Sequence, residues 1–396
     1  MHASRQRRLL AAVVFAVLVA QVLLYPGVDR LVGALGATTD LDASMWFLAS
    51  EFAAFVAFAG VWGALSDATG RRVPLVVGGA VVGATLYAAM AWLPAVAAVS
   101  FETVLLLRAA QGAATIAPFS LAMTMLMDVE GGHGRNMGAA GIAIGSGTAI
   151  GAPLGGQLSA VSPTLPLYAA SVLLLAVAGL AAFVPDRAPS GRAGRLRRAV
   201  ETFRATPSLT VPYAFGFVDR LSAGFFALVG TLYFADAFGL APPERGVMLA
   251  LFFVPFALLQ YPFGVLSDRV GRTLPVVAGS TLYGVAVVGV GLAPTVLLAG
   301  AGMVLVGVLG ALMSPATMAL VTDLAGESDR GTAMAGFNAV GSVGFLAGIL
   351  VGGTVAGDVG YLAAFVVTGS GQLLVALATL PKLLTLDAGE RGRPAD

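Results

Sequence analysis

Six ionisable residues stand deep inside apolar runs of this chain, Asp29, Arg30, Glu51, Arg108, Asp219 and Arg220, with Glu102 nearer the outer end of one run. In hydrocarbon each costs about 3 kcal/mol or more unless paired or hydrated. Two chemistries fit such residues. A carboxylate whose environment changes with access can take up and release a proton, or the set can form static ion pairs that brace helices. Helical rise gives relative depths. Asp29 lies 21 residues beyond Arg8 and Arg108 lies 20 before Asp128, both about 30 Å from one surface. Glu51 and Arg220 each lie 16 residues from a flanking charge, about 24 Å in. Asp29–Arg108 and Glu51–Arg220 are therefore the pairs expected from depth.

The elements that position these charges follow from composition. The 396 residues are 58% hydrophobic and 11% charged, against roughly 25% charged in soluble proteins, so most of the surface cannot face water. Apolar runs exceed the roughly 18 residues that mark a spanning helix. Strand-like alternation is absent, so helices are the way to satisfy the backbone in lipid. The runs predict an all-α membrane protein with twelve transmembrane helices at 9–35, 43–65, 73–93, 97–126, 134–160, 164–184, 209–235, 245–266, 274–292, 295–321, 331–356 and 359–381. The first, preceded by Arg5, Arg7 and Arg8, reads as an uncleaved helix rather than a removed leader. The arginine-rich stretch 185–206 reads as a cytoplasmic linker between an N-terminal half, 1–184, and a C-terminal half, 207–396.

With these spans, every Lys and Arg outside the membrane falls on one side except Arg245. The positive-inside rule then places both termini in the cytoplasm, in the cytoplasmic (inner) membrane. Other classes are excluded by missing residues. The only lysine is Lys382, which removes a phosphate-binding Gly-Lys loop and a mid-helix Schiff base. His2 and His133 lie outside the spans and there is no cysteine, so no metal site is expected. A net charge of +1 gives nucleic acid no handle.

The halves repeat one another. Gly63-Ala-Leu-Ser-Asp67-Ala-Thr-Gly70-Arg71-Arg72 returns as Gly264-Val-Leu-Ser-Asp268-Arg269-Val-Gly271-Arg272-Thr273. Gly147, Gly151, Gly155 and Gly156 in the fifth span return as Gly344, Gly348, Gly352 and Gly353 in the eleventh. Pro118, Asp128 and Asp29-Arg30 are echoed by Pro315, Asp323 and Asp219-Arg220. Such duplication is the mark of two similar six-helix halves around a substrate path.

On these residues the chain resembles the major facilitator superfamily along its whole length. The 63–72 loop matches the family's signature loop except at Ala68, and its second copy departs at Thr273. Arg108-x-x-Gln111-Gly112 looks like the family's Arg-x-x-Gln-Gly motif. The fifth-span glycines with Pro153 look like the antiporter motif of the drug:proton antiporter branch, with the proline displaced one place by Ala152.

The resemblance implies two pseudo-symmetric six-helix halves, and a cytoplasmic latch built from Asp67, Arg71, Arg72 and Asp128 in one half. In the other half the latch would use Asp268, Arg269, Arg272 and Asp323. The alternative is plain anchoring by solvated charges. The glycine rows allow close helix packing, as seams within the bundle or as contacts across the halves. Spans one, four, seven and ten would line the cavity, where Tyr25, Gln111, Phe119, Met123, Phe217 and Phe225 are candidates for a hydrophobic solute.

The expected function is secondary active transport by alternating access, foremost proton-coupled export of a small amphipathic or hydrophobic compound. Symport or facilitated passage of a small metabolite, or a transport-inactive sensor, are the alternatives. No enzyme activity or cofactor is expected, the proton gradient is the expected energy source, and the expected state is a monomer.

Overall fold

The computed structural model describes residues 3–37, 40–130, 133–186, 203–326 and 329–391. Most of the expected linker, including Arg187, Arg192, Arg195, Arg197 and Arg198, lies outside the described residues. The described chain is helical. In order it runs α1 (Ala3–Val22), α2 (Val28–Ala34), α3 (Asp40–Thr69), α4 (Val73–Val96), α5 (Phe101–Met127), α6 (His133–Val161) and α7 (Leu165–Ala182). It continues with α8 (Thr210–Phe225), a π-helical turn (Phe226–Gly230), α9 (Thr231–Phe238), α10 (Pro242–Val270), α11 (Thr273–Gly291), α12 (Val296–Leu324), α13 (Arg330–Asp358) and α14 (Tyr361–Arg391). Ten helical stretches among the described residues are long and apolar enough to cross a membrane. The other two expected spans are the broken first one and the glycine-rich α6.

Local sequence sets these boundaries. Ser100 caps α5 by accepting from the Thr103 amide, and Thr295 caps α12 by accepting from that of Leu298. A side-chain oxygen thus satisfies an otherwise orphaned amide at the same place in each repeat. Gly70 (φ 62°) and Gly271 (φ 88°) end the turns after α3 and α10 in a left-handed conformation that a β-carbon resists.

The expected span 9–35 is not one helix: it breaks at Leu23–Gly27. Pro26 has no amide proton and its ring clashes with a carbonyl one turn back. Non-helical backbone at membrane depth persists only where protein covers it, and Leu23, Leu24 and Tyr25 are buried. The seventh span is likewise interrupted by the π-turn.

The chain packs as two compact units, Met1–Arg195 with Gly230–Phe253, and Leu196–Val229 with Val254–Asp396. Their internal packing follows one plan. In the first, α1 packs on α5, α6 and α7, and α4 on α5 and α7. In the second, α8 packs on α12, α13 and α14, and α11 on α12 and α14. The glycine rows make the tightest of these seams. A β-carbon on Gly147 would stand 3.0 Å from the Phe15 carbonyl oxygen, and one on Gly155 would strike that of Leu23. One on Gly344 or Gly348 would strike the carbonyl of Phe217 or Leu221. The rows therefore seat α6 on α1 and α13 on α8, each inside its own unit. Gly156 differs, because it faces Pro242 and Pro243.

Candidate functional site

The Arg-x-x-Gln-Gly motif of α5 converges on one carboxylate of α3. Residues spaced by three and four share a helix face, and Arg108, Gln111 and Gly112 all address Glu51. Arg108 Nη2 donates to Glu51 Oε2 at 2.5 Å, and Nη1 donates to Gln111 Oε1 at 2.6 Å. Gln111 Nε2 donates to Glu51 Oε1 at 3.2 Å and to Thr115 Oγ1 at 2.9 Å. Gly112 lets the helices meet, since a β-carbon there would lie 2.6 Å from the Glu51 carbonyl oxygen. The guanidinium is also held 4.6 Å from the Phe47 ring centre and 5.4 Å from that of Tyr87, where the aromatic faces attract its charge.

This cluster is sealed. Glu51, Arg108 and Gln111 are each 0% exposed. The void beside them, bounded by Gln21, Tyr87, Thr115 and Leu174, is too narrow to admit a water molecule. Two donors, Arg108 Nε and Gln21 Nε2, have no hydrogen-bond partner there. An ion pair without water is stable only while both charges remain, so the cluster is sensitive to the protonation of Glu51.

The geometry corrects both pairs expected from depth. Arg108 takes Glu51 instead of Asp29, because α3 packs on α5, with Gly112 against the Glu51 backbone. Asp29 instead receives Arg245 Nη1 at 2.9 Å. The sequence places Arg245 outside the membrane, yet its side chain is 2% exposed, with Asp29 at 22%. Being the lone cation at that end of the spans was the signal that could have singled it out. In α8, Asp219 and Arg220 are half-buried, and the Arg220 stem lies against Gly341. Arg30 is exposed.

The two repeated loops close on different partners. Arg72 is buried; its Nη1 donates to Asp128 Oδ2 at 2.6 Å, while its backbone amide donates to Asp186 at 2.9 Å. Arg272 donates to Asp268 at 2.5 Å, to Asp323 at 3.0 Å and to Ser267 at 2.8 Å. Burial works against the Arg272 charge, but the bonds to Asp268 and Asp323 outweigh it and hold its pKa above the ordinary value. Asp186 gave no sign in the sequence, where it reads as linker. Of the cavity candidates, Tyr25 and Phe225 are buried in packing, Phe225 with its ring centre 4.8 Å from that of Phe365. Gln111 is bonded into the Glu51 cluster, and Phe119, Met123 and Phe217 are half-buried. A further polar seam, unforeseen, links Ser280 to Gln372 at 2.8 Å and Gln372 to Ser222 at 3.4 Å in the second unit.

Comparison with known proteins gives the family. The Major Facilitator Superfamily profile matches residues 9–231 and again 213–396. An uncharacterized MFS-type transporter of Methanocaldococcus jannaschii is 29% identical over 167 residues, 42% of this chain and 43% of that protein, so the match spans less than half of the relative's length. Among solved structures, a bacterial homologue of the human lysosomal transporter Spinster superposes with a TM-score of 0.78 at 15% identity, over 97% of this chain and 98% of that one. The nucleoside transporter NupG gives 0.75 at 13%, over 96% and 99%. The human organic anion transporter TETRAN gives 0.69 at 20%, over 95% and 99%. At these identities the structures speak for the fold alone, and the profile, matching both halves, carries the assignment: the chain belongs to the major facilitator superfamily, a multi-pass membrane transporter of small molecules and not an enzyme.

Proposed function

We propose that this transporter couples proton movement to export of a small amphipathic or hydrophobic compound, with Glu51 as the proton-carrying group. The observation that carries the reading is the buried Glu51–Arg108–Gln111 cluster. Protonating Glu51 cancels its charge and leaves Arg108 uncompensated in a dry site. Such a state favours rearrangement of α3 against α5. Asp219, half-buried in α8, is the second candidate; Asp29, held by Arg245, is assigned to bracing. Export is supported by the glycine-rich motif of α6, and a hydrophobic substrate by the scarcity of hydrogen-bonding side chains among the cavity candidates. The cytoplasmic membrane with both termini inside, and a monomer, complete the proposal.

The test is flux in proteoliposomes with and without an imposed pH gradient, using a panel of lipophilic cations, organic anions and nucleosides. Glu51→Gln is expected to retain gradient-independent exchange of the transported compound and to lose its acceleration by the pH gradient. Full acceleration in Glu51→Gln and in Asp219→Asn would remove both groups from the mechanism.

A further inference from the structure

A proton arriving on Glu51 needs an acceptor, and the groups already bonded there have little to offer one. Arg108 carries donors alone. Gln111 Oε1 accepts from Arg108 at 2.6 Å. Thr115 Oγ1 accepts from Gln111 Nε2 at 2.9 Å and donates to the Gln111 carbonyl at 3.0 Å. Tyr87 faces Glu51 from α4, and its hydroxyl is shared with Arg108. With Tyr25, in the turn after α1, these complete the titratable groups that face Glu51 among the described residues. The void admits no water. A new O–H would therefore be a buried donor without a partner, a condition that folded proteins rarely tolerate.

Gln21 borders the same void from α1. It is 7% exposed, in the last turn of that helix, directly ahead of the Leu23–Gly27 turn. Its amide lies close to the Glu51 carboxylate, yet Nε2 has no hydrogen-bond partner among the described residues. A side-chain amide carries donors and an acceptor on one rotor. It can give an N–H to a carboxylate and, turned over, take the O–H of a carboxylic acid. Gln21 thus suits both states of Glu51.

We propose that Gln21 is a positioning residue of the proton site: when Glu51 is protonated, the Gln21 amide turns over and accepts the new O–H. The proton comes from the aqueous side to which the site has opened; Glu51 gains one O–H bond and Arg108 keeps its charge. The charge state of α3 is thereby tied to the broken end of α1. This role rests on reading Glu51 as the proton-carrying group.

Infrared difference spectra between high and low pH, on the protein in lipid nanodiscs, test it without transport. The carboxylic-acid band that Glu51→Gln removes belongs to Glu51. In Gln21→Leu, which keeps the bulk and loses the amide, that band is expected at higher wavenumber, toward a free acid. The melting temperature should be unchanged or raised, because an unpartnered donor is gone. In protein labelled with ¹³C-glutamine, the amide carbonyl band lost in Gln21→Leu is expected to move to lower wavenumber at low pH, and to stay still in Glu51→Gln. A Glu51 band indifferent to Gln21→Leu would overturn the role, and one that moved only in Tyr87→Phe would make Tyr87 the acceptor. If Glu51→Gln removed no acid band, the proton reading itself would fall, and the role of Gln21 with it.

Discussion

Glu51 and Arg108 depend on each other more than on anything else around them. Glu51→Ala leaves a buried guanidinium with one donor already unpaired, and removal of one member of a buried pair costs about 3–5 kcal/mol. A clear drop in melting temperature of the purified protein is expected. Replacing both, Glu51→Leu with Arg108→Met, is expected to recover most of that stability while response to a pH gradient stays lost. If the double variant melted no higher than the single one, pairing would not be what the residues supply. The motif around Arg108 was legible in the sequence, but its target was not. Depth along a helix is set by counting residues, whereas the choice between Asp29 and Glu51 is set by which helix lies alongside, and that is a property of packing.

At the scale of elements, the glycine rows and the breaks teach opposite lessons. The rows were visible as a four-residue period, and the seams they make join α6 to α1 and α13 to α8, the fifth and first spans of each repeat. Gly348→Val is expected to destabilise by about 1–3 kcal/mol, since its β-carbon would strike the Leu221 carbonyl. Gly371→Ala is its counterpart, with nothing within 4 Å of an added β-carbon, and should be neutral or stabilising by up to roughly 1 kcal/mol. Thermal unfolding of the two variants reads the contrast, and equal losses would deny the seam. Helix ends were mostly found to within a turn, but α14 runs on to Arg391 beyond the expected 381. The turn at Leu23–Gly27 had a signal in Pro26-Gly27 that the long apolar run obscured. The π-turn at Phe226–Gly230 had none, because one residue too many in a helix leaves the apolar pattern nearly intact.

For the whole molecule, the repeat was readable because each half solves the same packing problem with the same residues at the same places. Ser100 and Thr295 cap equivalent helices, and Gly70 and Gly271 turn equivalent loops. Sidedness is the prediction that belongs at this scale. In the cysteine-free background, Ala68→Cys is expected to react with an impermeant maleimide only in inside-out vesicles, and Ala237→Cys only in right-side-out ones. The reverse pattern would invert the assignment drawn from the arginines. Where the repeat fails, it fails informatively: Arg72 reaches Asp128 and Asp186, while Arg272 reaches Asp268 and Asp323. The two copies of the loop are therefore not interchangeable parts.

The dryness around Glu51 bears on economy. A carboxylate that no water can approach does not act as a wire between the two sides, because a wire needs continuous hydration. Under the proton-coupled reading it is loaded only while α3 and α5 are parted, so idle leakage of the gradient can be no more frequent than that parting. The packing that hides the charge is thus what keeps the gradient from draining when there is nothing to carry.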